Sequence, residues 1–329
     1  MTAATRQASS VQHLPDRRAE PGGRRLAYLA LAVAGCSWGT GFYFAKVALT
    51  EVSVGHMLFY RFAFGCLGLL PIAFRVRVVP RRSDVPLFLI AAALYIPIQF
   101  LVQFQGLART TVSHASLMVG TLPLTLAIAA VIFTHERLDR VGWSMIVLST
   151  IGAILIVLQA HASGGIDGGP SLAGDLIVLV SLFAGVAWVL LTQHVMHAGH
   201  GYSAAVMTVY VVFAGTAMLT AWVFATDGLP PIHLSLHVWL ALAAQGLVAT
   251  TAATLLWNWG LSKVPAARAG IFVNFEPVVG SLLGVGLLGE TLGPLAIMGG
   301  LLIVGAATVF TLRKPVPPES ESGMAPGAR

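Results

Sequence analysis

Glu276 is the residue whose type and position most clearly indicate a functional role, because it is a carboxylate between Phe275 and Pro277 inside a run of apolar residues. A carboxylate at mid-depth in a bilayer is costly and usually faces a cavity or a partner, where it serves ligand binding or proton transfer. The position therefore predicts that Glu276 binds a small solute or a coupling proton. The alternative is a structural carboxylate that is hydrogen-bonded between two helices.

Arg61 is a second charged residue inside an apolar run. Its side chain can reach inward as a counter-ion for Glu276, or outward to lipid headgroups, as we expect for Lys46 near the end of the first apolar run. We favour an ion pair that supports the structure or gates the site over a contact between Arg61 and the solute.

Two prolines, Pro123 and Pro277, occupy the middle of their apolar runs and correspond to each other at an offset of 154 residues. A proline within a helix removes one backbone hydrogen bond and frees the carbonyl four residues earlier. Bent helices with free carbonyls at mid-depth suit ligand sites and rocking motions. We predict that both prolines shape or gate the site; the alternative is a packing kink.

Three uncharged residues inside apolar runs are predicted to contact the solute, because their depth in the bilayer suits a central site. They are Trp38, Gln99 and Asn274. The amide of Asn274 suits a zwitterion, and an aromatic ring can cover a cation or form an apolar wall. The alternative for each of them is an interhelical hydrogen bond or an interfacial position.

Patterns of catalytic and metal-binding residues are missing from the sequence. His194, His197 and His200 are spaced by three residues, but no Cys or carboxylate joins them. A phosphate-binding loop and a serine nucleophile motif are also absent. We therefore predict no catalytic residue, no metal and no cofactor, and the sequence supports neither hydrolysis nor ATP-driven pumping.

The candidate site residues named above lie on predicted membrane helices. Of 329 residues, 57% are hydrophobic and 10% charged, whereas a soluble domain averages about 25% charged residues. Runs of the length that a bilayer requires, about 20 residues each, occur at 26–49, 54–74, 85–107, 111–133, 141–158, 172–192, 202–225, 238–260, 266–288 and 294–312. The composition excludes a soluble enzyme and predicts an all-α integral membrane protein of ten transmembrane helices.

The basic residues predict the orientation of these helices. All but Lys46, Arg61 and Arg109 of the 19 basic residues fall in the tails or in alternate connections, on the same side as the N-terminus. Such an excess marks the cytoplasmic face, so both termini are predicted in the cytoplasm. The formal net charge of +6 therefore reflects membrane orientation, and no nucleic-acid partner is expected.

An internal repeat divides the chain into two halves. At the offset of 154 residues Gly106, Pro123 and Glu136 match Gly260, Pro277 and Glu290. The predicted organisation is a disordered tail at 1–25, a five-helix repeat at 26–158, a Gly-rich linker at 159–171, a second five-helix repeat at 172–312 and a disordered tail at 313–329. Because five is odd, the second repeat enters the membrane inverted, which is an architecture of secondary transporters.

Motifs in both halves resemble the EamA group of the drug/metabolite transporter superfamily. They are Gly35, Trp38-Gly39-Thr40 and Lys46 in the first helix, Arg61-Phe62 in the second, Gly106-Leu107-Ala108 with Pro123 and Glu136, and Trp257-Asn258-Trp259-Gly260-Leu261 with Glu276-Pro277 and Gly289-Glu290. The resemblance extends over nearly all of 26–312. It implies ten transmembrane helices and the export or exchange of small metabolites, often amino acids or drug-like compounds.

The sequence therefore predicts a secondary transporter of the cytoplasmic membrane that exports or exchanges a small metabolite by alternating access. Proton coupling through Glu276 and a homodimer are left open, and the bilayer and a small solute are the expected partners. Two alternatives remain: a non-transporting membrane scaffold, and a membrane enzyme that acts on a lipid-linked substrate.

Overall fold

The computed structural model describes residues 21–133, 139–162, 169–197, 202–261 and 270–312. All regular secondary structure in these ranges is helical. The predicted tail at 313–329, most of the tail at 1–25, and Glu136 lie outside the described residues.

Six helices are continuous: α1 Pro21–Ala48, α2 Val54–Ala73, α5 Arg140–Ala162, α6 Leu172–His197, α7 Ala204–Thr226 and α10 Pro294–Leu312. Two contain a π-helical segment: α3 runs through Val85–Ala93, Leu94–Phe100 and Leu101–Leu107, and α8 through Leu236–Gly246, Leu247–Ala252 and Ala253–Leu261. Two are broken: α4 consists of Val112–Val119 and Leu122–Phe133, and α9 of the 3-10 segment Gly270–Asn274 followed by Phe275–Leu288.

These helices agree with the apolar runs to within a few residues, although α1 begins at Pro21, before the predicted position 26. Among the described residues, seven helices are long and apolar enough to cross a bilayer, and two shorter apolar helices cover Phe272–Leu288 and Pro294–Phe310. Large apolar side chains such as Phe183, Leu282 and Leu301 are exposed on the outside of the bundle. A helical membrane protein that faces lipid tails has this kind of surface.

The irregular segments recur at equivalent positions in the two halves. The π segment of α3 begins at Leu94, and the π segment of α8 begins at Leu247, close to the offset of 154 residues. The break in α4 at Gly120 corresponds to Asn274, where the 3-10 segment of α9 ends. A local irregularity that is repeated in both halves supports their common origin, and π segments often lie at functional sites.

The packing of the helices is reciprocal. In the first half α1 packs on α8 and α9, and in the second half the equivalent α6 packs on α3 and α4. Likewise α2 contacts α8 and α7 contacts α3, while α2–α7, α4–α9 and α5–α10 pair directly. A two-fold relation between the halves accounts for this pattern of contacts.

The two ends of the bundle carry different connections. The acidic end comprises the connections 49–53, 108–111, 169–171, 227–235 and 289–293, and the basic end comprises 74–84 and 202–203. Lys46 in the last turn of α1 donates to the Thr110 carbonyl, and Thr110 in turn donates to Asp175 in the first turn of α6. Thus α6 begins at the end of the bundle at which the equivalent α1 finishes.

Small residues bring α4 and α9 together at the centre. A Cβ atom on Gly280 would lie 2.5 Å from the Cβ of Ser116, so only glycine fits at this crossing. The Ser116 hydroxyl lies 3.4 Å from that of Ser281. Close backbone approach of this kind is typical of helix crossings in membranes, and it fixes the first turn of the long helical segment that carries Glu276.

Candidate functional site

Arg61 on α2, Tyr95 on α3 and Glu276 on α9 form the charged centre of the bundle. Each of the three interacts electrostatically with the other two. Among the described residues, however, no direct ion pair joins Arg61 to Glu276. The centre therefore contains a cationic and an anionic group, contributed by different halves, that do not neutralise each other by contact.

Aromatic rings and a hydroxyl hold the guanidinium of Arg61 away from lipid. The side chain is buried, with 6% of its surface exposed, and its Nε donates to Thr250 Oγ1 at 3.0 Å. Its Cζ lies 4.6 Å from the ring centre of Phe100 and 5.2 Å from that of Phe104. Cation–π contacts of this kind stabilise a desolvated guanidinium, so the side chain does not extend to the headgroups.

The π segment of α8 positions the hydroxyl that Arg61 contacts. Thr250 lies five residues after Gln245, which is the hydrogen-bond spacing of a π turn, and its Oγ1 donates to the Gln245 carbonyl at 3.0 Å. The same oxygen accepts the hydrogen bond from Arg61. The irregular backbone thus aims a side-chain acceptor into the centre.

Glu276 lies in the first turn of Phe275–Leu288, immediately after the 3-10 segment. A Cβ on Gly39 would lie 2.7 Å from the Glu276 carbonyl oxygen, so α1 packs directly on this turn. In the part of the chain that the structure describes, the carboxylate accepts no hydrogen bond from protein. The N-terminal end of a helix favours an anion, which leaves a stabilised carboxylate free for a ligand.

Two aromatic pairs each contain one tryptophan from a pair of equivalent helices, α1 and α6. Trp38 on α1 packs on Trp257 of α8, with ring centres 5.0 Å apart. Trp188 on α6 corresponds to Trp38 at an offset of 150 residues, which relates the starts of the two halves, and it stacks on Tyr95 of α3 at 4.0 Å and 18°. The sequence favoured Trp38 among the aromatic residues inside the apolar runs, and the structure brings Tyr95 and Trp188 together as a second pair.

Gln99 lies in the π segment of α3 and faces α6. A Cβ on Gly185 would lie 2.8 Å from its Nε2. Its Oε1, the Nε1 of Trp188 and the Oγ1 of Thr192 are buried polar atoms that have no hydrogen-bond partner among the described residues. Buried polar atoms are normally hydrogen-bonded, so these three groups are available to a bound molecule or to water.

Asn274 and the two prolines have structural positions in this arrangement. The Asn274 Nδ2 donates to Thr308 Oγ1 at 3.2 Å and so links α9 to α10. Pro277 lies in the first turn of Phe275–Leu288, and Pro123 is the second residue of Leu122–Phe133. The first backbone N–H groups of a helix have no partner within it, so both prolines start half-helices rather than bend continuous ones.

A buried pair at the acidic end was missed by the sequence interpretation. His114 Nδ1 on α4 lies 2.9 Å from Asp175 Oδ2 on α6, and the two side chains are 1% and 0% exposed. Thr110 Oγ1 donates to Asp175 Oδ1 at 2.6 Å. The available signal was an acidic residue inside the apolar run 172–192, the same signal that identified Glu276.

Lys46 and Glu290 complete the polar cluster at the acidic end. Lys46 does not extend to lipid headgroups as expected; its Nζ donates to the carbonyls of Leu107 and Thr110 at 3.1 and 2.7 Å. Glu290 accepts from the backbone N–H groups of Val112 and Ser113 at 2.7 and 2.8 Å. It thereby caps α4 from the connection that follows α9.

Within the described residues, no group of three or more His, Cys, Asp or Glu side chains is placed to hold a metal ion. His200, the last of the three spaced histidines, lies outside the described residues, and α6 continues to His197.

Comparison with known proteins is consistent with this arrangement in two halves. A model of the EamA-like transporter family matches residues 25–158 and again residues 173–312. A solved crystal structure covers 89% of this chain and 99% of its own length with a TM-score of 0.61 at 18% identity, and therefore shares the fold.

Several curated relatives are named as transporters. The uncharacterized transporter YetK of Bacillus subtilis is 22% identical over 88% of both chains. An uncharacterized transporter of Archaeoglobus fulgidus is 26% identical over 88% of this chain and 87% of its own. A probable terminal-alkyne amino-acid exporter of Streptantibioticus cattleyicolor is 23% identical over 92% of this chain and 98% of its own.

Proposed function

Because the chain belongs to the EamA-like transporter family and is a membrane transporter, we propose that it is a secondary carrier that binds a small metabolite between Arg61 and Glu276. The proposed mechanism is alternating access, in which a central site opens to one side of the membrane at a time. The proposed location is the cytoplasmic membrane, which the chain crosses ten times with both termini in the cytoplasm.

The observation that carries this proposal is the pair of opposite charges without a direct contact. Arg61 belongs to the first half and Glu276 to the second, and the two interact electrostatically without an ion pair. Charges buried in a membrane protein are costly unless they are compensated. A solute that carries both a cationic and an anionic group compensates both at once and joins the two halves through itself.

Alternating access is supported by the relation between the halves. Equivalent irregular segments in α3 and α8 and in α4 and α9, reciprocal packing, and the opposite placement of the starts of α1 and α6 all fit an inverted repeat. In transporters of this architecture, exchanging the conformations of the two repeats exchanges the open side. Discontinuous helices at the centre allow half-helices to tilt independently.

An amino acid is the proposed class of substrate. Its ammonium fits the Glu276 carboxylate, and its carboxylate fits the Arg61 guanidinium, which matches carboxylate geometry. Tyr95, Trp38 and the polar atoms of Gln99 surround the centre and suit the remainder of the molecule. The name of the Streptantibioticus cattleyicolor relative, a probable terminal-alkyne amino-acid exporter, agrees with this class and with outward transport.

Counterflow in proteoliposomes tests the proposal. Purified full-length protein is reconstituted into liposomes loaded with unlabelled L-amino acids, and the entry of the radiolabelled amino acids is measured. We expect wild type to exchange at least one of them, and Glu276→Gln to lower that exchange at least about tenfold, since one lost charge–charge contact is worth about 1.4 kcal/mol or more. Glu51→Gln, a change of the same kind at the exposed acidic end, should leave the rate unchanged.

Two results would contradict the proposal. Equal exchange by wild type and Glu276→Gln would remove the carboxylate from the binding site. Absence of exchange for all L-amino acids would exclude the proposed substrate class and would favour the alternatives of a scaffold or of an enzyme acting on a lipid-linked substrate.

A further inference from the structure

We propose that His114 and Asp175 form a proton-binding site at the acidic end, distinct from the central site. The role of this pair in transport rests on the function proposed above. In that function the pair binds the coupling proton, and Glu276 binds the solute. Glu290 belongs to the same cluster as His114 and follows Glu276 by fourteen residues. The two sites therefore lie roughly 20 Å apart along α9.

The geometry of the pair fixes which nitrogen takes the proton. An ionised carboxylate only accepts hydrogen bonds, so the 2.9 Å contact between His114 Nδ1 and Asp175 Oδ2 requires the proton on Nδ1. The Nε2 of the neutral ring is then an acceptor. It is buried and has no hydrogen-bond partner in the described part of the protein, which leaves it free to accept a proton.

The charges around the pair favour this uptake. Lys46 contributes one positive charge to the cluster, and Asp175 and Glu290 contribute one negative charge each, so the cluster carries one excess negative charge while His114 is neutral. Protonation of His114 brings the sum to zero. A buried group of charges is least costly when it is neutral overall and internally hydrogen-bonded.

The count comprises the ionisable side chains that hydrogen bonds among the described residues link to the cluster, and it leaves out Glu276 of α9, which belongs to the central site. The elements packed against the first segment of α4 are α1, α3, α6, α9 and α10. They contribute Lys46 from α1, Asp175 from α6 and Glu290 from the connection after α9. The adjoining segments of α3 and α10 carry no ionisable side chain, and the side chain of Arg109 in the connection 108–111 is exposed.

The pair also lies where a proton can influence transport. His114 belongs to the first half and Asp175 to the second, and Asp175 is held further by Thr110 of the first half. The repeat equivalents of His114 and Asp175 are Arg268 and Arg25, two basic residues that cannot form such a pair. The site therefore occurs once and distinguishes one end of the carrier from the other.

The proposed step is a simple proton transfer. When the acidic end separates, bulk water reaches His114. The Nε2 lone pair then forms a new N–H bond with a proton from hydronium, whose O–H bond breaks to leave a neutral water molecule. The imidazolium and the Asp175 carboxylate then close as a neutral pair. Return of the proton to water on reopening completes the cycle.

Nitrogen NMR of the full-length protein in lipid nanodiscs tests the proposal directly. Labelling serine carbonyls with ¹³C and histidines with ¹⁵N identifies His114 in wild type, because Ser113-His114 is the only Ser–His pair in the chain. Between about pH 8 and about pH 5, where histidine charge changes commonly occur, we expect the His114 ring to change from the neutral to the imidazolium form. In Asp175→Asn the imidazolium form should no longer appear within this range.

Asp227→Asn is the matched control, since Asp227 is a carboxylate at the same end that accepts from Ser53; the change in His114 should persist in it. The proposal is overturned if His114 keeps one form across the whole range in wild type, or if Asp227→Asn abolishes the change as Asp175→Asn does. Should Asp175→Asn fail to fold, Asp175→Glu replaces it and must retain the change. None of these spectra depends on transport, so a carrier that exchanges amino acids while His114 keeps one form contradicts this inference alone.

Discussion

The two ends of the helix bundle are built from equivalent segments, yet different interactions hold them together. At the acidic end, Lys46, His114, Asp175 and Glu290 are joined across both halves by buried hydrogen bonds. At the basic end, the hydroxyl of Tyr202 donates to Asp84 and accepts from the Arg81 N–H. Among the described residues, the acidic end thus contains a charged cluster that joins the two halves.

Under the proposed mechanism, this asymmetry favours one direction of transport. Two identical halves related by two-fold symmetry would open equally well to both sides, whereas the proton-binding site that we propose at His114 and Asp175 would make closure of one end alone sensitive to protons. The residues at the corresponding positions of the sequence, Arg25 and Arg268, carry like charges. Each of the following experiments tests this difference between the ends.

The largest expected effect is all-or-none labelling of the two ends. Leu229 and Val79 are repeat equivalents with 80% and 74% exposure, at the acidic and basic ends respectively. In a background in which Cys36 and Cys66 are replaced by alanine, a membrane-impermeant maleimide should label Leu229→Cys in intact cells. Val79→Cys should react only after the membrane is permeabilised. The reverse pattern would place the basic end outside and would contradict the orientation drawn from the arginines.

Removal of a buried charge should destabilise the acidic end strongly. Asp175→Leu leaves the ring of His114 and the hydroxyl of Thr110 without their acceptor, and loss of one partner of a buried pair costs about 3–5 kcal/mol of unfolding free energy. At the basic end, Tyr202→Phe removes one hydroxyl and should cost about 1 kcal/mol. Thermal unfolding of the purified proteins in detergent compares the two; equal losses would show that the ends are held alike.

The contribution of Glu290 to the free energy of unfolding should lie between those of Asp175 and Tyr202. Glu290→Gln keeps an acceptor for the N–H groups of Val112 and Ser113 but removes the charge that strengthens both hydrogen bonds. We expect a loss of about 1–2 kcal/mol of unfolding free energy. Glu51→Gln, a change of the same kind at the same end, is the control, and a loss as large in that variant would refute the assigned cap.

The smallest effect concerns the pH dependence of stability at the acidic end. Hydrogen bonds from the hydroxyl and the N–H of Ser235, with a smaller contribution from His237, lower the pKa of Glu51 below its ordinary value of 4.5. A carboxyl whose pKa is lowered by folding stabilises the protein above pH 4.5, and this stabilisation is lost as the pH falls through the lowered pKa. The unfolding temperatures of wild type and Glu51→Gln should therefore converge on acidification; a constant difference would contradict this.

Much of the fold follows from the sequence, because a bilayer demands long apolar helices and alternate basic connections. The irregular segments do not, since the apolar runs continue without interruption through Leu94–Phe100 and across Gly120. For the same reason Pro123 and Pro277 were expected to bend continuous helices, although they begin half-helices.

The candidate site follows from the sequence only in part. Glu276 and Arg61 stand out because charges in apolar runs are costly, but their partners depend on contacts between distant segments. Thr250 lies 189 residues from Arg61, and Ser113 lies 177 residues from Glu290. A single sequence contains no signal for such pairs, and Asp175 was overlooked because its partner His114 lies in another helix.

The most direct test of alternating access measures both ends of the carrier at once. Spin labels at Leu229 and Ile297 report on the acidic end, and labels at the repeat equivalents Val79 and Trp143 report on the basic end; all four side chains are exposed. Distances between the labels of each pair are measured in nanodiscs by double electron–electron resonance. Alternating access predicts a short and a long distance for each label pair. The long distance at one end should gain population as the long distance at the other end loses it. A single, unchanging distance at both ends from about pH 5 to about pH 8 would contradict it.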